Sequence, residues 1–163
     1  MQDPNAVERI RKGDGHALKR LYKSEFVRLY ALAYRLTGDE EKAEAVVLTV
    51  MRQMWENKET LDVFQPLDLV LLREVYTTSR RVAPDVDPIE SIKNNTPNTY
   101  PLVQALQKLD PKSRFIFLLH STEGFSYREI AFILDVTEDT VTHYMSRALE
   151  GVAPALVGDV EAG

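Results

Sequence analysis

The sequence predicts an all-α protein: two small helical domains joined by a linker, the C-terminal one a helix-turn-helix. Three observations predict it. Apolar residues recur at spacings of three and four along most of the chain, and no stretch of strand length alternates with period two. Residues 82–100, VAPDVDPIESIKNNTPNTY, break that periodicity with three prolines and an Asn pair, the composition of a linker. Ser126 to Leu149 then reads as two short helices around a tight turn. The expected domains are 1–81 and 101–157, with a linker at 82–100 and a frayed tail at 158–163.

The elements follow in order. Residues 5–12 suit a short helix that Gly13-Asp14-Gly15 ends. A long helix is expected from about His16 to Leu36, with Leu18, Leu21, Tyr22, Phe26, Leu29, Tyr30, Ala33 and Leu36 on its apolar side. Gly38 suits its C-terminal stop and Asp39 the N-cap of the next helix. That helix runs to about Asn57 and carries Ala43, Val46, Val47, Val50, Met51, Met54 and Trp55 as core candidates. Pro66 suits the start of a helix from Leu67 to Arg81, with Leu71, Leu72, Val75 and Tyr76 inside. After the linker, a helix from Leu102 to Leu109 stops at Asp110-Pro111. The next helix should bury Phe115, Ile116, Leu118 and Leu119.

Ser126 and Glu129 have capping-box spacing. The helix they open should turn Ile130, Ala131 and Leu134 inward. Thr137 is an N-cap candidate for a second helix, with Glu138 and Asp139 in its first turn, where the helix dipole favours carboxylates. The turn between the helices needs a left-handed residue, and Asp135 stands where Gly is commonest. Val136, Val141, Met145, Ala148 and Leu149 complete the predicted apolar set. With Val141, Met145 and Leu149 facing in, Glu138, Asp139, Thr142, His143, Ser146 and Arg147 face out. The second helix of such a unit is the one that enters a DNA major groove, so these six are the candidate DNA-binding residues. Arg147 suits a phosphate or guanine edge, and Thr142, Ser146 and His143 suit hydrogen bonds to bases or phosphates.

Composition bounds the rest. The 163 residues carry a net charge of −5 and no Cys, which removes disulfide and thiolate chemistry and fits a cytoplasmic protein. No run reaches membrane-span length, and MQDPNAVERIRKGD lacks the apolar core of a signal peptide. Residues 1–81 hold 14 Lys/Arg and 13 Asp/Glu, residues 82–100 hold 1 and 3, and residues 101–163 hold 5 and 9. The half with the helix-turn-helix is thus the acidic half, which predicts weak DNA binding by that domain alone. His16, His120 and His143 lie on different elements without metal-ligand spacing, and no phosphate loop or nucleophile elbow is present. No enzyme, metal or cofactor is expected.

LVQALQKLDPKSRFIFLLHSTEGFSYREIAFILDVTEDTVTHYMSRALEGV resembles the fourth conserved region of bacterial sigma factors of the extracytoplasmic-function (ECF) group. Ala105-Leu106, Leu109, Arg114, Phe117, Gly124, Glu129-Ile130-Ala131, Thr140-Val141 and Arg147-Ala148 carry the likeness. GDGHALKRLYKSEFVRLYALAYRLTGDEEKAEAVV resembles the start of the second conserved region. The resemblance implies an RNA polymerase core enzyme as partner, promoter DNA as target and an anti-sigma factor as inhibitor. It implies that the first domain meets the polymerase clamp and the −10 element, and the second reads the −35 element. Carried onto this chain, it places polymerase contacts at Glu44, Ala45, Leu48, Thr49 and Arg52, and −10 contacts at Arg73, Tyr76, Thr77, Arg80 and Arg81.

The chain also departs from the pattern. Where the family carries polar groups toward the clamp, this chain has Ala45, Leu48 and Thr49, which predicts a more apolar contact. The loop before Pro66, which in the family captures a flipped base, is shorter. The usual basic positions of the recognition helix are Thr142, His143 and Tyr144. These departures motivate an alternative: a sigma-like protein that binds an anti-sigma factor or another regulator by mimicry, without initiating transcription.

Overall fold

The structure, a computed structural model, describes residues 4–93 and 100–162; all its regular elements are helical. The chain divides after Pro84 into two compact units.

The first unit contains α1 (Ala6–Arg11), α2 (Gly15–Thr37), α3 (Glu40–Glu56), a 3₁₀ turn at Lys58–Thr60, and α4 (Leu67–Val82). Local chemistry sets the boundaries. The Asp14 carboxylate accepts from the His16 and Ala17 N–H groups at 3.0 and 3.2 Å, and so opens α2. Gly38 takes a left-handed backbone (φ 70°) and ends it, donating to the Tyr34 carbonyl. Asp39 follows at once and caps α3 by accepting from the Lys42 N–H. α2 packs on α3 and α4, α3 packs on α4, and α1 closes on α2. Ile10, Leu29, Leu32, Leu36, Val47, Leu72 and Val75 are fully buried between them.

Some expected core positions are only half-buried: Leu18, Tyr22, Phe26, Tyr30, Trp55 and Tyr76. Four rings of α2, Tyr22, Phe26, Tyr30 and Tyr34, instead stack along its flank with centroids 5.3, 5.6 and 6.3 Å apart. Their i, i+4 spacing lets each ring cover the next. Leu32 and Ala17 take core positions that the sequence pattern did not single out. Trp55 lies under a cation, with Lys58 Nζ 4.5 Å from its ring centroid.

The second unit contains α5 (Ile89–Lys93), α6 (Pro101–Lys108), α7 (Pro111–Ser121), α8 (Tyr127–Leu134) and α9 (Glu138–Ala162). α6, α7 and α8 each pack on α9. Within the interval expected as a linker, residues 85–93 belong to this unit and include α5; residues 94–99 lie outside the described residues.

A buried cation ties the segment down. Arg114 on α7 is 8% exposed. Its Nε donates to Asp87 Oδ1 at 3.3 Å, and its terminal nitrogen makes a second bond to Asp87 Oδ2. The other terminal nitrogen donates to the carbonyls of Leu106 and Leu109 at 3.2 and 2.8 Å. A charge thereby joins the Leu109 N–H on the Leu106 carbonyl and reaches the Leu109 carbonyl, at the negative end of α6. Asp87 also accepts from the Ile89 N–H and so starts α5.

Candidate nucleic-acid interface

The helix-turn-helix is built as its capping residues dictate. The Ser126 hydroxyl accepts from the Glu129 N–H at 3.1 Å, and the Glu129 carboxylate accepts from the Ser126 N–H at 3.0 Å. Asp135 takes the left-handed conformation (φ 56°) and turns the chain. The Thr137 hydroxyl then accepts from the Thr140 N–H at 3.1 Å, opening α9. The approach to α8 is held by His120, whose Nδ1 lies 2.8 Å from the Phe125 carbonyl and whose ring meets Tyr127 edge-on.

Beneath α9, Ile130, Val141 and Met145 are buried as expected. Three positions differ. Ile133, not Leu134, is the fully buried residue at the end of α8, and Val136 is half-buried. Leu149, expected inside, is 44% exposed, while Ala148 and Val152 face the core. The reason is phase on a helix that continues to Ala162, through the expected tail at 158–163. The 3.6-residue repeat keeps 141, 145, 148 and 152 on one line and places 149 to one side of it.

Glu138, Asp139, Thr142, His143, Ser146 and Arg147 are all exposed along the first half of α9. Arg147 is not a solitary cation: its terminal nitrogen lies 3.4 Å from Asp110 Oδ1. Asp110 caps α7, accepting from the Ser113 hydroxyl at 2.7 Å and the Ser113 N–H at 3.0 Å. The Ser113 side chain first, then its backbone donor and the Arg147 charge, hold the Asp110 carboxyl below its ordinary value of 3.8. A depressed carboxyl contributes stability that is present above the unfolded value and is lost as pH falls through the folded one. The melting temperature of the wild-type second unit should therefore fall more steeply below about pH 4 than that of Asp110→Asn. Parallel curves in acid thermal scans would remove this role for Asp110.

Sequence reasoning missed the surroundings of α9. Lys112 Nζ sits 5.1 Å from the centre of the Tyr144 ring, which His143 meets edge-on. This places a cation from α7 beside the exposed face of α9. The pairing joins residues 32 positions apart, so no local spacing announces it.

In the first unit, Glu44, Ala45, Leu48 and Arg52 are exposed on α3, and Thr49 is half-buried. Leu48 is 48% exposed beside the buried Val47 and Met51. Arg52 lies 3.9 Å from Glu56. Glu40 and Glu44 lie close enough to the ring ladder that their charges, after desolvation, hold the Tyr30 phenol above its ordinary value. On α4, Arg73, Tyr76, Thr77 and Arg80 share one face at helical spacing, with Arg81 next to it. Arg73, Tyr76 and Arg80 are half-buried, and Thr77 and Arg81 are exposed. The Arg80 guanidinium lies 5.9 Å from the Tyr76 ring centre. Between the end of α3, the loop after it and the start of α4 lies a cavity of about 580 Å³, lined by Met54, Asn57, Leu61, Gln65 and Glu74 among others. On that loop Phe64 stands 93% exposed, its N–H donating to Asp62 Oδ1 at 2.8 Å.

No group of three or more His, Cys, Asp or Glu among the described residues is arranged to hold a metal ion. No helix among them is long and apolar enough to cross a membrane.

Residues 100–150 match the family described as Sigma-70, region 4. The ECF RNA polymerase sigma factor SigJ of Mycobacterium tuberculosis (strain ATCC 25618 / H37Rv) is 28% identical over 152 residues, covering 79% of this chain and 48% of SigJ. The ECF RNA polymerase sigma factor SigL of Mycobacterium tuberculosis (strain ATCC 35801 / TMC 107 / Erdman) is 26% identical, covering 81% of this chain and 86% of SigL. The chain is thus similar to sigma factors of the ECF group over about four fifths of its length. It spans about half the length of SigJ and most of SigL.

Solved structures share the fold of this chain. CnrH, in complex with the cytosolic domain of CnrY, has a TM-score of 0.75 at 21% identity, covering 98% of this chain and 99% of CnrH. The sigma factor RpoE of Bartonella quintana, in complex with the anti-sigma factor NepR, has a TM-score of 0.57 at 20% identity, covering 85% and 95%. The region 4 match runs from the start of α6 through Glu150, so it includes all six exposed candidates on α9.

Proposed function

We propose that this chain is a sigma factor that binds the RNA polymerase core enzyme and directs it to specific promoters. One observation carries the reading. Six groove-facing candidates stand exposed together on α9, above a helix-turn-helix whose capping bonds are formed. In this reading α9 enters the −35 major groove. The α4 face around Arg73, Tyr76, Thr77, Arg80 and Arg81 addresses the −10 element, and the cavity after α3 receives an unstacked base. The α3 surface around Leu48 meets the polymerase clamp. RpoE of Bartonella quintana has an anti-sigma factor as its partner; we propose the same kind of inhibitor for this chain.

Co-elution of the purified chain with core polymerase, followed by run-off transcription on genomic fragments, tests the proposal. Binding without initiation from any fragment would favour the mimic. That second reading draws on the acidic C-terminal unit and on the exposed Leu48 where the family is polar.

Arg147 sharpens the test. A guanidinium has five N–H donors, so one pairing with Asp110 leaves others for a phosphate or a guanine edge. A bidentate base contact is worth about 1–3 kcal/mol. Arg147→Ala should therefore lower promoter-directed transcription several-fold and leave polymerase co-elution unchanged. If Arg147→Ala, Thr142→Ala and His143→Ala each leave transcription unaltered, α9 is not a promoter reader.

A further inference from the structure

The chain is acidic overall, yet its positive charge is concentrated in one place. Residues 8–28 hold seven Lys/Arg and three Asp/Glu, while the remainder holds 13 and 22. The centre of that excess is the first half of α2, where Lys19, Arg20 and Lys23 are all exposed. At about 100° per residue, His16, Lys19, Arg20, Lys23 and Val27 share an arc of about 100°. His16 is exposed and Val27 is 77% exposed, so the stripe is open along three turns.

The nearby acids do not neutralise it. Glu25 lies on the opposite side of the helix by the same count. Asp14 is committed to the cap of α2 and feels the Arg20 charge. Arg28, also off the stripe, lies 3.7 Å from Asp68. Glu8 and Glu59 line a shallow surface with Arg11 and Lys12.

We propose that this stripe is a binding surface for the phosphate backbone of DNA, separate from the α4 and α9 faces. The choice of DNA rests on the sigma-factor reading; the choice of a polyanion rests on the stripe. Lys is depleted from protein–protein interfaces, but it is a regular phosphate partner as a point charge. A membrane-surface helix would need a free apolar face, and on α2 the aliphatic side is buried in the core while the rings of its flank are half-buried against one another. A chain that is negative elsewhere must draw much of its attraction for nucleic acid from such a stripe.

The test uses the full chain and a fluorescein-labelled 25-base-pair duplex of arbitrary sequence, about two and a half turns long. Backbone binding is independent of sequence, so no promoter need be known. Anisotropy titrations at several salt concentrations give the slope of log K against log salt. Each phosphate contact contributes about 0.9 to that slope on B-form DNA. The variant Lys19→Gln/Arg20→Gln/Lys23→Gln should flatten the slope by about 2–3 at unchanged melting temperature. The control Lys42→Gln/Lys93→Gln/Lys108→Gln, with the same change in net charge, should flatten it by less than about 1.

Equal flattening by both variants would reduce the effect to net charge and overturn the proposal. So would an unchanged slope in the stripe variant, or no detectable binding by the wild type at low salt. If the stripe variant instead loses co-elution with core polymerase while its DNA slope is unchanged, the partner is an acidic protein surface. None of these outcomes depends on transcription. A failure of the sigma-factor reading would show separately, as absence of run-off product from the wild-type chain with core polymerase.

Discussion

Arg114→Ala is expected to lower the melting temperature of the second unit by at least about 10 °C. The variant removes the cation paired with Asp87 and takes a donor from the Leu106 and Leu109 carbonyls at the end of α6. Removing one partner of a buried ion pair costs about 3–5 kcal/mol. For a domain of this size, about 1 kcal/mol moves the transition by roughly 4–8 °C. Asp87→Asn should cost less, because Asp87 is partly exposed and Asn still accepts one bond. Arg114→Lys should recover little, since an ammonium cannot reach the carboxylate and two carbonyls at once. Calorimetry on the full chain follows this as a shift of one unfolding transition. A shift below about 3 °C would show that the network contributes nothing net.

Leu48→Lys is expected to weaken the complex with core polymerase at least tenfold without altering the melting temperature. Leu48 is half exposed beside the buried Val47 and Met51, so its outer surface is free to be covered by a partner. Burying half or more of a leucine is worth about 1.5 kcal/mol, which corresponds to a tenfold change in affinity. A lysine there would also bring a desolvation cost into an apolar contact. Competition binding against the wild-type chain measures the loss. A large drop in thermal stability would instead identify Leu48 as part of the core. Unchanged affinity would remove α3 from the polymerase interface proposed above.

Features that depend on neighbours along the chain are legible in the amino-acid sequence. Gly38 with Asp39, Ser126 with Glu129, and Thr137 all cap where their side-chain chemistry predicts. The left-handed turn at Asp135 is legible for the same reason. What stays hidden depends on distance or on rotation. Arg114 and Asp87 lie 27 residues apart, so a buried cation reads as one more residue of a helical pattern. Leu149 and Leu134 are apolar at nearly the right phase, and one position of rotation decides which residue faces the core. Ile133 and Val152 take those places. The six candidates on α9 are legible because exposure on a helix follows from what its other face buries. The Lys112–Tyr144 contact is not, because it joins two helices.

Trp55 is the chain's one tryptophan. It stands on the same helix as Leu48, half-buried and with the Lys58 ammonium over its ring. Its emission is therefore a built-in optical reporter of the first unit, sensitive to any partner that displaces that cation or dries the ring. The second unit contains tyrosines but no tryptophan, and is dark in the same channel. A thermal scan of Arg114→Ala followed by tryptophan emission should look like wild type while circular dichroism registers the early loss of helix. If core polymerase docks on α3 as proposed, the Trp55 emission should change on binding.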